Sequence, residues 1–281
     1  MNTIDVFTNE YKVTKKQIRW VALLTFICSL YIPLASFGQE IKVMTYNIYH
    51  GEEYYSPGEK NLEKISAIIN KYKPDFVAMQ EVDSMTNRTA TINNGVKMDV
   101  IKELAAMTGM YGFFGKAIPY SEGGYGEGVL SRFPSKSMSY NLPTPSGGEG
   151  RALLMIEHTF SNGQKIIFAG THLCHQFPEN RLAQTKAVCN ILKDSTIPVV
   201  MGGDLNFTPD SPSYQEITKY FEDVAKMRGK AKYTFSFDEP SSRIDYIFVS
   251  KGHKWRIKNV KVIKENASDH MPVLVTLELK K

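Results

Sequence analysis

The 281 residues are 42% hydrophobic and 22% charged, an ordinary globular composition with enough apolar material for a full core. A formal net charge of +5 arises without any dense Lys/Arg tract, which sets aside a basic nucleic-acid-binding tail; the charge suits a polyanionic substrate without arguing for one. Cys28, Cys174 and Cys189 include no C-x-x-C spacing, so a zinc site is set aside as well.

In chain order, Lys12, Lys15, Lys16 and Arg19 precede an apolar run over 20–34, and Ala35, Ser36 and Gly38 follow it. A basic region, a short apolar region and a small-residue exit form the pattern of a secretory signal peptide. The run is short for a membrane span, which needs about 20 apolar residues. Residues 1–38 are therefore expected to be a signal peptide, with an uncleaved anchor or a buried helix as alternatives, and the product to be periplasmic or extracellular. No lipobox precedes Cys28. Four Lys/Arg and two Asp/Glu leave with this segment, so the remaining 30 and 27 give +3. In an exported chain Cys174 and Cys189 form either one disulfide or two unpaired core thiols.

Residues 41–49 alternate and read as a strand. Leu62, Ile65, Ile68 and Ile69 recur at helical spacing until Lys73-Pro74. A short apolar run over 76–79 leads into Gln80-Glu81, and Val100, Leu104 and Met107 mark a second helix closed by Gly109. Strands and turns fill 111–160, and Asn162-Gly163 between apolar runs signals a hairpin. A strand over 166–169 ends at Thr171-His172. Pro178 opens a helix whose Leu182, Val188, Ile191 and Leu192 share a face. Strands over 199–201, 244–249 and 273–279 complete the pattern. No repeat or linker interrupts 39–281, which is expected to be one domain. Helices follow some strands without regular βαβ alternation, which favours two mixed sheets packed face to face with helices outside.

Apolar strands in this chain repeatedly end in acids, amides or histidines: Asn47, Glu81, His172, Asp204 with Asn206, Asp245, and Asp269 with His270. Such groups at buried strand ends are costly unless paired or metal-bound, and a set of six points to a site where any one alone would pass as a turn or a solvated strand end. The segments Met44-Thr45-Tyr46-Asn47-Ile48, Gln80-Glu81-Val82, Gly170-Thr171-His172-Leu173, Gly202-Gly203-Asp204-Leu205-Asn206, Arg243-Ile244-Asp245-Tyr246-Ile247 and Ser268-Asp269-His270-Met271-Pro272 together resemble the endonuclease/exonuclease/phosphatase superfamily. They cover nearly all of the chain beyond the leader, and the compact form resembles its secreted bacterial branch.

The resemblance implies a four-layer α/β/β/α sandwich of two mixed β-sheets flanked by helices, with the site at one end of both sheets. It implies a metal-dependent hydrolase of ester bonds. Glu81 and Asp269 match Mg²⁺ ligands, with Asn47 close by and Mn²⁺ able to substitute. Asp204 matches the carboxylate that activates the attacking water and Asn206 the amide beside it. Asp245 and His270 match an Asp–His pair that meets developing phosphorane charge. His172 matches a second histidine that donates to phosphate or protonates the leaving group.

Arg88, Tyr125 and Arg151 are weaker candidates for substrate contact, and His50, His158, His175 and His253 are expected to be ordinary surface or packed residues. The core motifs do not name the phosphoester. Nucleic acid stands level with a phospholipid, sugar phosphate or other small phosphodiester, a non-catalytic binding module stands behind both, and a monomer without an obligate protein partner is expected.

Overall fold

A computed structural model describes residues 39–280; the expected signal peptide lies outside the described residues. None of the described helices is long and apolar enough to cross a membrane. In chain order the elements are β1 (Gln39–Asn47), α1 (Leu62–Tyr72), β2 (Phe76–Ser84), α2 (Asn87–Ile92), α3 (Val100–Thr108), β3 (Tyr111–Tyr120), β4 (Gly123–Ser131), β5 (Lys136–Leu142), β6 (Arg151–Thr159), β7 (Lys165–His172), α4 (Pro178–Leu192), β8 (Val199–Asp204), α5 (Pro212–Ile217), β9 (Phe221–Asp223), α6 (Val224–Met227), β10 (Asp245–Ser250), β11 (Trp255–Val262) and β12 (Val273–Leu279). They form two six-stranded sheets, ordered β11-β12-β1-β2-β4-β3 and β5-β6-β7-β8-β10-β9. Both are mixed: β1 runs parallel to β2 and β7 parallel to β8, while the other pairings are antiparallel.

Alternation along the strands explains the layering. Ile41 and Val43 of β1, Phe76 and Ala78 of β2, Phe168 of β7, Val200 of β8 and Val275 of β12 share one apolar cluster between the sheets. The opposite residues, Met44, Tyr46, Val77 and Met79, pack with Leu62, Ile65 and Ile69 of α1 and Leu104 of α3. On the far side Met155, Ala169, Met201 and Phe248 pack with Val188, Cys189 and Leu192 of α4 and Tyr214 and Ile217 of α5. A period of two thus supplies each central strand with two buried faces, and three clusters make the interfaces of a four-layer sandwich.

Helix ends follow side-chain chemistry. Asp99 accepts from Lys102 N at 3.2 Å to start α3, and Gly109 closes it at φ 65°. Pro178 stands in the first turn of α4. That helix differs from expectation in its buried face: Asn180, Gln184 and Thr185 are inside with Val188, Cys189 and Leu192, whereas Leu182 and Ile191 are only half-buried. The Gln184 side chain accepts from Cys174 N at 2.8 Å, and the Asn180 amide donates to Gly147 O at 2.7 Å, so α4 uses buried amides to fix the loops behind β7 and before β6. Cys174 and Cys189 are both buried and free.

The sheets approach closely where they carry the site. A Cβ on Gly202 would lie 3.0 Å from Thr45 Cβ, and one on Gly170 would lie 3.1 Å from Ala78 Cβ. These two glycines of the second sheet let β1 and β2 of the first come near β7 and β8 just before their polar ends.

Candidate active site

Three adjacent strands of the second sheet end in a row. His172 of β7 is in register with Asp204 of β8, and Asp204 with Asp245 of β10. In the first sheet Asn47 of β1 is in register with Gln80 of β2. Between Met79 and Val82 the β2–β4 pairing slips by one residue, so β2 carries one extra residue there. This bulge puts Glu81 at φ 59° and turns its side chain out of the ladder, the re-aiming that bulges beside sites provide. Across the gap between the sheets, the Asn47 amide donates to Glu81 Oε1 at 2.9 Å and to Asp204 Oδ2 at 3.2 Å. One side chain thereby ties the two halves together.

Asp204 is 2% exposed. Its Oδ1 accepts from Asn206 N at 3.1 Å, and its Oδ2 lies 3.4 Å from His172 Nε2 and 3.6 Å from His270 Nε2. The other nitrogen of His270 lies 3.0 and 3.2 Å from the two oxygens of Asp245. Burial raises the Asp204 carboxyl, and although the His270 charge opposes this, the result is about 7. Burial works against the His270 imidazolium, but Asp245 and Asp204 on either side overcome it and push the ring up to about 10. Asp269 follows a similar logic: burial raises it, His270 opposes, and the charge of Glu81 raises it further.

His172 has the opposite character. Burial and the Arg151 charge bring it well below the usual histidine range. Arg151 NH1 lies 2.9 Å from Nδ1, and a guanidinium only donates, so Nδ1 accepts and Nε2 carries the hydrogen. The Nε2–H then has the Asp204 Oδ2 acceptor 3.4 Å away, while the Asn206 amide nitrogen donates to Leu173 O at 3.0 Å. A ring held neutral in this way is a hydrogen-bond donor and a poor reservoir of protons.

Burial opposes ionisation of Glu81 as well, yet the nearby His50 ring, with Nδ1 3.8 Å from Oε2, and the Asn47 amide bring it down to about 2. Glu81 is thus a full carboxylate. The Asp204, Asp245 and His270 donor atoms lie within 4.8 Å of one another, a spacing that could hold a metal. In this group His270 Nδ1 is already engaged by Asp245, 3.0 and 3.2 Å from its two oxygens. Glu81 and Asp269 are the opposite case: each raises the cost of the other's charge, and among the described residues the Asp269 carboxylate accepts only from Ser268 Oγ, at 3.1 Å. Glu81, bonded by the Asn47 amide, and Asp269, which feels the Glu81 charge, offer the hard-oxygen donors that suit a divalent cation such as Mg²⁺.

The opening over these groups, about 280 Å³, is lined by Glu81, Tyr125, Arg151, His172, Asn206 and His270, among others. Arg151 is 2% exposed and lies 3.0 Å from Glu149 Oε1 and 3.2 Å from His175 Nδ1. Tyr125 forms part of the wall and is 9% exposed. Arg88 is absent from the lining of the opening: its Nε and NH2 donate to Asp83 at 2.8 and 2.6 Å, and its plane lies 4.7 Å over Tyr120 and 5.3 Å over Tyr125.

Two histidines expected to be ordinary belong to the site. His50, two residues beyond Ile48, sits at φ 47° between Glu52 (2.8 Å) and Glu81. His175, three residues beyond His172, lines the opening. His158 packs among Phe133, Phe160 and Phe76 instead, and His253 bonds Ser250 Oγ. Glu127, which the sequence reading did not single out, faces the β2 bulge. It is 1% exposed, with one carboxyl oxygen unpartnered, and burial drives it well above the usual carboxylate range.

A profile of the Endonuclease/Exonuclease/phosphatase family matches residues 44–270. The chain belongs to that family. Members of the endonuclease/exonuclease/phosphatase family are hydrolases of phosphoester bonds and generally use a divalent metal. A UPF0294 protein of Vibrio parahaemolyticus is 27% identical over 166 residues, 56% of each chain, so the chain spans just over half of that curated relative. Among solved structures, an endonuclease/exonuclease/phosphatase from Beutenbergia cavernae aligns with TM-score 0.71 at 21% identity, over 86% of this chain and 72% of its own. A mannosyl-6-phosphatase of Bacteroides thetaiotaomicron gives 0.67 at 17%, over 84% and 99%. TDP2 of D. rerio, complexed with single-strand DNA product, gives 0.65 at 20%, over 85% and 99%. At these identities the structural likeness speaks for the fold alone.

Proposed function

We propose that this chain is an exported, Mg²⁺-dependent phosphoesterase in which Asp204 activates water against a phosphoester P–O bond. The observation that carries the reading is the buried Asp204 carboxylate, tuned to about 7 and set between a neutral His172 and a charged His270. A base poised near neutral pH can take a proton from water and release it again.

Asn206 and Asn47 fix the carboxylate and the water beside it. The water oxygen forms the new bond to phosphorus as its proton passes to Asp204, and the bond to the leaving oxygen breaks. The His270 imidazolium, held in orientation by Asp245, faces the negative charge that develops on the phosphoryl oxygens; His172 Nε2–H donates to them as well. Arg151, which touches His172 and His175, adds fixed positive charge to the wall. Glu81 and Asp269, with Asn47 beside them, would hold the Mg²⁺, which supplies a Lewis acid to polarise the phosphoryl oxygen and offset charge on the leaving oxygen. Mn²⁺ would serve in its place.

The relatives act on different phosphoesters, one named for a mannosyl phosphate and one bound to a DNA product, and specificity resides in loops. Export rests on the basic, apolar and small-residue sequence of 1–38, and the working form is a monomer. The test is a substrate panel of bis-p-nitrophenyl phosphate, RNA, single- and double-stranded DNA, sphingomyelin and sugar phosphates, each with Mg²⁺ or EDTA. Hydrolysis of at least one, abolished by EDTA and by Asp204→Asn, is expected. Metal-independent hydrolysis, or full rate in Asp204→Asn, contradicts the reading.

A further inference from the structure

A larger hollow adjoins the catalytic opening across one thin segment of chain. Ile244 lines the opening, whereas Ser242 and Arg243 line a separate cleft of about 830 Å³. Thr208 and Pro209, just beyond Asn206, line that cleft too, as does Met271, directly after His270. Three of the site's own motifs thus pass their next residues to the cleft. With consecutive Cα atoms about 3.8 Å apart, the two hollows are separated by little more than a layer of backbone.

The charges in the cleft have one sign. Lys232, Lys264 and Arg243 line it, and no acid does. Arg243 is already engaged, donating to both oxygens of Asp223 and lying 4.4 Å over the Tyr246 ring. The Lys232 and Lys264 ammonium groups have no hydrogen-bond or ion-pair partner among the described residues. Beside Lys232 stands Tyr233, 57% exposed and the most exposed aromatic side chain among the described residues. Two unengaged cations around an open ring are what a nucleotide chain requires, with phosphate on the lysines and a base on the ring. A base within a duplex is covered on both faces and could not lie on Tyr233. An acyl chain would have to bury Thr208, Ser241 and Ser242 hydroxyls and two ammonium groups without partners.

We infer that this cleft binds the part of a single-stranded nucleic acid that continues past the scissile phosphate, with Lys232 and Lys264 on backbone phosphates and Tyr233 stacked on a base. The inference rests on the phosphoesterase reading for the catalytic opening and names the substrate class that reading leaves open.

The test is fluorescence anisotropy of a fluorescein-labelled octathymidylate with the full chain in EDTA, over a series of salt concentrations. Lys232→Ala/Lys264→Ala should weaken binding at least tenfold at low salt and flatten the slope of log K against log[salt] by about 1.4, two contacts at about 0.7 each for a single strand. Tyr233→Ala should weaken binding about 5- to 150-fold with the slope unchanged, and Tyr233→Phe should restore it. Circular dichroism of each variant reports folding. Unchanged affinity and slope in the double lysine variant, or no binding by the parent chain, overturns the inference. Hydrolysis of bis-p-nitrophenyl phosphate by the parent chain reports separately on the phosphoesterase reading, since it tests that reading whatever the anisotropy shows.

Discussion

Asp204 and His270 lie 3.6 Å apart, with Asp245 on the far side of the imidazole, and this arrangement sets the pH dependence of the reaction they share. A carboxylate acting as base works in its ionised form, above its value of about 7. An imidazolium facing phosphoryl charge works below its value of about 10. Hydrolysis of bis-p-nitrophenyl phosphate should therefore rise through pH 7, level off, and fall as pH approaches 10. Asp245→Asn removes a negative charge that raises both groups, so both limbs should move to lower pH. A parent profile that declines steadily from pH 7 upward contradicts this assignment. Asp204→Asn should lower kcat by about 10²- to 10⁴-fold, the usual contribution of a positioned base, while circular dichroism remains that of the parent. These residues were legible because each stands in a polar motif beside an apolar strand, Asp204 ending β8, Asp245 opening β10 and His270 just before β12. The charge states were not, since they depend on Arg151 beside one imidazole and Asp245 beside the other. His50 and His175 were passed over because nothing in their own neighbourhoods separates a site histidine from a surface one.

At the scale of single elements, the site depends on irregularities in otherwise regular strands. Alternation made β1 readable and apolar runs β7, β8 and β12, but the extra residue that aims Glu81 leaves no periodic trace, because Gln80-Glu81 reads only as the polar tip of an apolar strand. β11 has a polar, exposed face of lysines and Arg256 at a sheet edge, and β9 has only three residues, so neither produced a strand signal. The buried amides of α4 broke the apolar face expected of it.

Gly203 is needed where β7 and β8 run side by side: a Cβ there would lie 2.3 Å from Thr171 O. That oxygen belongs to backbone and cannot step aside, so Gly203→Ala should cost about 1–3 kcal/mol or more, read as a lower urea midpoint. An unchanged midpoint would mean the strands are not so closely paired. Arg243, named for its place in a catalytic motif, serves the fold: with Asp223 it forms a buried pair, and Asp223 also accepts from Tyr214 OH at 3.0 Å and caps α6. Asp223→Ala, which strands the guanidinium, should cost about 3–5 kcal/mol in the same measurement.

Across the whole molecule, the arrangement works because two sheets from distant parts of the chain bring like charges together. Asn47 and Glu81 come from one sheet, His172, Asp204 and Asp245 from the other, and Asp269 and His270 from the loop between β11 and β12. The order of motifs made that convergence legible, and the layering followed from two-faced apolar strands. The cleft beside the site was not legible, because its walls come from residues with no pattern of their own. Glu81 and Asp269 raise each other's cost of charge, so a cation bound between them should stabilise the fold in proportion to its concentration over its dissociation constant. Mg²⁺ should raise the thermal midpoint of the parent chain and leave that of Glu81→Gln unmoved.

Calorimetric titration with Mn²⁺ tests the central arrangement most directly, because it asks which carboxylates hold the ion. One site should appear in the parent chain, disappear in Glu81→Gln and in Asp269→Asn, and persist in His270→Ala. Retention of the site in both carboxylate variants, or its loss in His270→Ala alone, would place the metal among Asp204, Asp245 and His270 and contradict the account.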